Sequence, residues 1–193
     1  MSEKKRDLEK TRQLLIGGAS LLMTKCTDPD EVTSRAIARE SGVNPAMINY
    51  CFGSREGLLF EVFKKLLADA QQADSGLAKA LLCDLPPKQR VKELHFRMMK
   101  LMIANHSYAK AITRFILLNR NVSFGMETLP CITEHFSGRK SESECRFIAF
   151  ELTSLHELAV LRYADLKQDF GIDLTDDTQL RRYVETSVDR FLD

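Results

Sequence analysis

Two short helical segments that meet at one glycine limit the fold of this chain more than any other feature of its sequence. The first segment spans residues 34–41, and Gly42 follows it as a residue that readily adopts the positive φ of a tight turn. Asn44 and Pro45 come next and favour a new helix, because Asn is a good N-cap and Pro suits the first helical turn. The sequence therefore predicts two short helices joined by a tight turn.

The residues around this turn have the sizes that close helix packing needs. Ala38 is small where the second helix must approach the first, and Val43, Ile48 and Phe52 are apolar at positions that would hold the second helix. Ser54 follows and is suited to cap the next helix. This arrangement is typical of a helix-turn-helix, which presents its second helix at a fixed angle.

Helical periodicity continues along the chain, and runs of alternating Val, Ile and Thr are missing. The chain has 193 residues, of which 44% are hydrophobic, so it is long and apolar enough to build a sizeable core. We therefore predict an all-α fold with a three-helix N-terminal domain over residues 1–55 and a helical C-terminal domain over residues 56–193. Helices outside the motif are expected at about residues 6–26, 58–82, 88–104, 108–119, 141–168 and 177–192, and residues 120–140 are expected to be irregular.

The stretch from Val32 to Leu59, with the phrase INYCFGSREGLL at its end, closely resembles the tetracycline-repressor (TetR) family of transcription regulators. The resemblance by motif covers about the first 65 residues, and beyond them only the helical character and the length agree. It implies an N-terminal DNA-binding domain and a C-terminal domain for ligand sensing and dimerisation. The matching residues are Thr33, Ile37, Ala38, Gly42, Val43, Asn44, Ile48, Tyr50, Phe52, Gly53, Ser54, Arg55, Glu56, Leu58 and Leu59.

The chain departs from the family pattern at two positions of the third helix. Cys51 stands where the family usually has His, and Asn49 stands where many members have Tyr. We expect these changes to alter phosphate contacts or operator preference, and to leave the apolar residues that hold the fold undisturbed.

The resemblance also implies which residues contact double-stranded DNA. In the family the third helix enters the major groove, where Asn49 can pair with adenine and Met47 can contact a thymine methyl group. Arg55 matches a usual phosphate-binding position of the family. The expected DNA-binding residues are Thr33, Ser34, Arg35, Asn44, Pro45, Ala46, Met47, Asn49, Tyr50 and Arg55.

A two-fold operator needs a two-fold protein, so we expect a homodimer. The last two helices carry apolar stripes, which the resemblance assigns to a four-helix interface between subunits. Part of each stripe must instead serve the core of the single chain. The expected interface residues are Phe147, Phe150, Leu155, Leu158, Leu161, Tyr183, Val184, Val188 and Phe191.

The helices between the DNA-binding domain and the last two helices are expected to hold a pocket for a small-molecule effector, because Met-rich walls adapt to varied ligands. The expected ligand-binding residues are Phe63, Leu67, His95, Met99, Met102, Ile103, Phe115 and Leu118. Plain core packing is the alternative for each of them. An effector that prefers the arrangement unable to bind DNA would release the operator, and repression is the family's commoner mode.

Composition restricts the remaining possibilities. The formal net charge is +1, and the first 65 residues carry 11 Lys and Arg against 9 Asp and Glu, so DNA binding must depend on where charges lie. The charged N-terminus and the lack of a long apolar run predict a cytoplasmic protein that does not span a membrane. The four histidines form no recognisable ligand set, and no catalytic motif occurs. We therefore expect no metal, no cofactor and no enzymatic activity.

Two other functions stay open. The five cysteines are widely spaced and are expected to be reduced thiols, but Cys51 beside the recognition helix could make the protein a redox-responsive regulator. The small positive charge of the N-terminal domain also leaves room for a helical protein-interaction module without DNA binding.

Overall fold

The computed structural model describes residues 3–26, 30–73, 84–106, 108–110, 112–113 and 127–193. All the regular structure among them is helical, which confirms the predicted all-α class. The main helices are α1 (Glu3–Lys25), α2 (Ser34–Ser41), α3 (Ala46–Phe52), α4 (Arg55–Ala73), α5 (Pro87–Ala104), α6 (Leu129–Phe136), α7 (Glu142–Leu161), α8 (Tyr163–Phe170) and α9 (Asp177–Phe191).

The chain divides into two compact units. The first comprises Met1–Gln71 with Lys110–Leu118, and the second comprises Gln72–Ala109 with Asn119–Asp193. The first unit therefore includes α1 to α3 and most of α4. The division of function expected between residues 55 and 56 stays a prediction.

In the first unit, α1 packs against both α2 and α3. Leu15 of α1, Ile37 of α2 and Ile48 of α3 are fully buried. Gly18 allows α1 to approach α2 closely, since a Cβ atom at Gly18 would lie 3.0 Å from the Cβ of Ser41. The two helices of the motif are thus both supported by α1.

In the second unit, α5 packs against α6, α7 and α9, and α7 also packs against α6, α8 and α9. Val91 and Met99 of α5, Leu152 of α7, and Leu180 and Val188 of α9 are at most 1% exposed. These helices form the core of the unit.

Helix ends in the second unit follow the local signals in the sequence. Ser141 Oγ accepts a hydrogen bond from the backbone N–H of Glu144, and the Glu144 carboxylate accepts one from the backbone N–H of Ser141 at 2.7 Å. These two reciprocal bonds form a capping box. Gly171 ends α8 in the left-handed conformation at φ +68, which glycine adopts readily.

Two predicted boundaries are wrong. The stretch 120–140 was expected to be irregular, but α6 lies within it, with Ile132 and Phe136 buried one turn apart. Pro130 does not break this helix because it lies in the first turn, where no backbone N–H is needed. The single helix expected over residues 141–168 is two helices, since Arg162 leaves helical geometry at ψ +24.

Parts of the helices expected at 58–82 and 108–119 lie outside the described residues. Within the described ranges, none of the helices combines the length and apolarity that crossing a membrane requires.

Candidate functional site

The turn between α2 and α3 has the geometry that its glycine predicts. Gly42 lies at φ +67, and its backbone N–H donates to the carbonyl of Ala38. The carboxamide oxygen of Asn44 accepts from the backbone N–H of Ala46 at 2.9 Å. Pro45 occupies the N-cap position, one residue later than expected, but Asn44 still supplies the capping bond.

The face of α3 turned away from α1 is open to solvent. Ile48 is fully buried, whereas the Tyr50 side chain is 70% exposed. Five of the six residues expected to line the DNA-facing side are exposed: Asn44, Pro45, Ala46, Asn49 and Tyr50, while Met47 is half-buried. The structure therefore places the predicted reading residues on one accessible surface.

The residues expected at the start of α2 lie at its N-terminus. Thr33 Oγ1 accepts from the backbone N–H of Ala36 at 3.1 Å and caps the helix. Its hydroxyl proton remains able to donate to another acceptor. Arg35 is exposed and Ser34 is half-buried. These side chains and the free N–H groups of the first turn suit an anionic partner.

Arg55 has several partners inside the protein. Its Nε donates to the Glu56 carboxylate at 3.0 Å, its Nη2 lies 3.8 Å from the Asp30 carboxylate, and its Nη1 donates to the Val32 carbonyl at 3.5 Å. The side chain is 20% exposed. Arg55 thus joins α4 to the segment before α2, a role that the sequence did not predict.

Arg12 of α1 was missed by sequence reasoning, yet it contacts the carboxyl end of α3. Its Nη1 donates to the carbonyl of Cys51, and its guanidinium lies 4.4 Å from the centre of the Phe52 ring. The last carbonyls of a helix lack partners within the helix, and its C-terminus attracts a positive charge. Arg12 therefore fixes the end of α3 to α1.

Gly57 lies where α4 passes the end of α3. A Cβ atom at this position would lie 2.3 Å from the Phe52 carbonyl oxygen, so only glycine fits the observed backbone. The backbone N–H of Gly57 donates to Ser54 Oγ at 3.0 Å, which confirms Ser54 as the cap of α4.

The expected ligand-binding residues differ in where the structure places them. Phe63, His95, Met99 and Met102 are buried, Ile103 is partly exposed, and the side chain of Leu67 and residues Phe115 and Leu118 lie outside the described part of the chain. Phe63 belongs to the first unit, whereas His95 and Met99 lie one turn apart on α5 in the second.

A chain of buried polar groups joins α5, α7 and α9. His95 Nδ1 lies 2.8 Å from His156 Nδ1, and His156 Nε2 lies 2.6 Å from Ser187 Oγ. Ser187 Oγ also bonds to the carbonyls of Tyr183 at 3.0 Å and Val184 at 2.9 Å. We call His95, His156 and Ser187 the histidine relay. Its members are distant in the sequence, so no spacing pattern could reveal it.

The histidine relay has the connectivity of a nucleophile, a base and an orienting group. All three residues are at most 6% exposed, and the Ser187 hydroxyl is bonded to the backbone of its own helix. The Ser187 hydroxyl would have to be the nucleophile, but it is held by the carbonyls of its own helix, so this arrangement does not support catalysis.

Stability is expected to fall in mild acid because of this relay. Burial lowers the pKa of His95 to about 4, and burial together with the charge of His95 lowers the pKa of His156 well below its usual value. The unfolded chain takes up protons near pH 6.5, so the stability is fully present above that pH and is lost as the pH falls toward 4. Urea unfolding at pH 7 and pH 5 should show a loss of about 2 kcal/mol from His95 alone.

The matched variant for this prediction is His95→Asn, which removes the titrating group. It should lose less unfolding free energy than the wild type between the two pH values. Equal losses in both proteins would show that His95 does not resist protonation.

The expected interface residues are partly open and partly internal. Phe147 and Leu158 of α7 are 61% and 49% exposed, and the Phe150 ring stacks on Phe147 with 6.4 Å between centroids. Val184 and Val188 are buried within the single chain, which is the alternative left open for part of each stripe. The others are partly exposed: Phe150, Leu155, Leu161, Tyr183 and Phe191.

Within the described part of the chain no disulfide joins the cysteines at Cys26, Cys51, Cys131 and Cys145, and Cys83 lies outside that part. Burial raises the pKa of the Cys51 thiol, although the charge of Arg12 acts in the opposite direction. A raised pKa leaves less thiolate, which is the reactive form.

Comparison with known proteins agrees with this geometry. The family model described as bacterial regulatory proteins, tetR family, matches residues 25–62, which include α2, α3 and the start of α4. No curated protein matches the chain.

Proposed function

We propose that this protein is a DNA-binding transcription regulator, which the match of residues 25–62 to the tetR family of bacterial regulatory proteins supports. It is a homodimeric repressor that a small molecule releases from a palindromic operator. The observation that carries the proposal is the exposed face of α3, fixed by the Gly42 turn and by contacts to α1.

Asn49 is the residue best suited to read a base. It is exposed in the middle of α3, and a carboxamide can make two hydrogen bonds to the N6 and N7 atoms of adenine in the major groove. Ala46 and Met47, nearer the start of α3, offer apolar atoms to a thymine methyl group. These residues would supply most of the operator preference.

Phosphate contacts would position α3 in the groove. The exposed hydroxyl of Tyr50 and the side chains of Thr33 and Arg35 are the candidates, because each can donate to a phosphate oxygen. Arg55 would bind phosphate only by exchanging its contacts with Asp30 and Glu56. We therefore assign Arg55 first to holding α4 in place.

A homodimer would present two copies of α3 to two half-sites, roughly 34–36 Å apart or a multiple of that distance. The exposed apolar side chains of Phe147 and Leu158 on α7 support an interface there. Phe191 and Tyr183 of α9 are partly exposed and would extend it.

The effector would bind in the second unit and favour the arrangement of the dimer that cannot hold both half-sites. The buried polar atoms and methionines of α5 support this location, because ligand pockets are mostly apolar with a few placed polar groups. Such a regulator works in the cytoplasm, where its operator is.

The raised pKa of Cys51 does not favour the redox-responsive alternative. The protein-interaction alternative predicts that the protein selects no DNA sequence, whereas our proposal predicts that it does. The following experiment tests this difference.

Asn49→Ala is expected to weaken binding to an operator selected by the wild-type protein from random DNA. The loss should be about 1–3 kcal/mol for each contacted adenine, because the bidentate pair disappears. Fluorescence anisotropy at fixed salt measures it. When that A·T pair is replaced, wild type and Asn49→Ala should bind with equal affinity.

Gln13→Ala is the matched control, since Gln13 is an exposed carboxamide on α1 that bonds only to the Glu9 side chain in the described structure. It should leave operator affinity unchanged. If the wild-type protein selects no sequence and its binding does not depend on salt, the protein-interaction alternative is correct, because phosphate contacts always produce a salt slope.

A further inference from the structure

The histidine relay contains one proton whose position determines all the others. The Ser187 hydroxyl has a single proton and three acceptor atoms within 3.0 Å: the carbonyl oxygens of Tyr183 and Val184, and Nε2 of His156. If the proton pointed to His156, both carbonyl oxygens would face the lone pairs of the hydroxyl with no hydrogen between them. The proton therefore goes to the carbonyls of α9.

This choice sets the tautomers of both histidines. His156 Nε2 must then carry a hydrogen to donate to Ser187 Oγ, which leaves His156 Nδ1 without one. His95 Nδ1 must in turn donate to His156 Nδ1 across the 2.8 Å between them. Burial keeps His95 neutral, so its Nε2 has a free lone pair and no hydrogen.

That lone pair has no partner among the residues that the structure describes. His95 is 6% exposed, and its Nε2 is buried without a hydrogen bond to any residue that the structure describes. Buried acceptors are almost always satisfied, and an unsatisfied one in a stable core needs an explanation. Val91 and Met99, one turn to either side of His95 on α5, are at most 1% exposed, so the surroundings along the helix are apolar.

We propose that Nε2 of His95 is the acceptor at which an effector binds through a neutral donor, a hydroxyl or an amide N–H, on an otherwise largely apolar molecule. The proposal rests on the proposed small-molecule response and names its chemistry. A neutral donor is favoured because the relay consists of two neutral imidazoles and a hydroxyl. A cation placed there would lose its hydration without gaining a negative partner from the relay.

The first test is the tautomer of His95 in the free protein. Protein labelled with ¹⁵N in the histidine rings is observed by long-range ¹H–¹⁵N correlation at pH 7. The expected result is a hydrogen on Nδ1 of His95 and on Nε2 of His156. A hydrogen on Nε2 of His95 overturns the proposal, because that atom would then be a donor.

The second test uses phenol and toluene as probes, since they differ only in a hydroxyl against a methyl group. Phenol should shift the ¹⁵N signal of His95 Nε2 upfield by donating to it, and toluene should not. His95→Asn keeps a side-chain N–H near the position of Nδ1 for His156 and deletes the Nε2 acceptor. The ratio of phenol to toluene affinity should fall roughly tenfold in this variant.

The proposal is overturned if phenol does not shift the ¹⁵N signal of His95 Nε2 in the wild-type protein. It is also overturned if the ratio of phenol to toluene affinity is the same in His95→Asn as in the wild type. The wild-type measurements decide the matter even if the variant does not fold.

Operator binding by wild-type protein is measured on the same samples. If it is absent while phenol still contacts His95, the regulator proposal fails and the ligand site stands. If DNA binding responds to other small molecules that leave the His95 signal unchanged, the ligand site fails and the regulator proposal stands.

Discussion

Gly57→Ala is expected to lower the free energy of unfolding of the first unit by about 3 kcal/mol and to weaken operator binding roughly tenfold or more. The added Cβ would lie 2.3 Å from the Phe52 carbonyl oxygen, which belongs to the backbone and cannot rotate away. Either the end of α3 or the start of α4 must move, and base contacts on α3 are then lost. Urea unfolding and anisotropy with the selected operator measure the two effects.

Gly17→Ala is the matched control for this prediction. Gly17 lies within α1, and nothing approaches within 4 Å of where its Cβ would be. Alanine has the higher helix propensity, so this variant should be more stable by about 0.5–1 kcal/mol. If Gly57→Ala and Gly17→Ala have the same stability and the same operator affinity, the backbone around Gly57 can make room for a methyl group and the prediction is wrong.

Arg12→Met is expected to weaken operator binding roughly tenfold without changing which sequence is preferred. The variant keeps an apolar side chain but loses the hydrogen bond to the Cys51 carbonyl and the contact with the Phe52 ring. Together these contribute about 1–3 kcal/mol to holding α3, which has seven residues and little helical stability of its own. The salt slope of binding separates this positioning role from a phosphate contact. It should stay at the wild-type value, since Arg12 donates to protein.

Lys10→Met, at an exposed position of the same helix, is the control for loss of one positive charge. Its affinity should stay within about twofold of the wild type. A salt slope reduced by about one in Arg12→Met would contradict the positioning role and show that Arg12 binds a phosphate.

Local signals predicted the motif because the groups that decide it are near neighbours in the chain. Gly42 supplies the positive φ of the turn, Asn44 caps α3, and Ser54 caps α4. The capping box of Ser141 and Glu144 at the start of α7 is equally local. Each of these interactions spans five residues or fewer, so composition and spacing contain the information.

Local signals failed where a residue type is compatible with both a helix and a break, or where no residue type indicates a break. Pro130 lies in the stretch that was expected to be irregular, but proline is also favoured in the first turn of a helix, which is where it lies in α6. The end of α7 at Leu161 has no nearby Gly or Pro, and so nothing marked it in the sequence. Boundaries of this kind depend on how each helix packs on its neighbours.

The sequence by itself determined the all-α class, the two short helices that meet at Gly42, and the residues that α3 turns toward solvent, because helical period and capping are local. Only the tertiary structure decided how α3 is held, through Arg12 and Gly57, and which buried polar groups meet. His95 and His156 are 61 residues apart and join only when α5 packs against α7. Contacts between distant segments depend on the packing of whole helices, and no spacing along the chain encodes which side chains will then face each other.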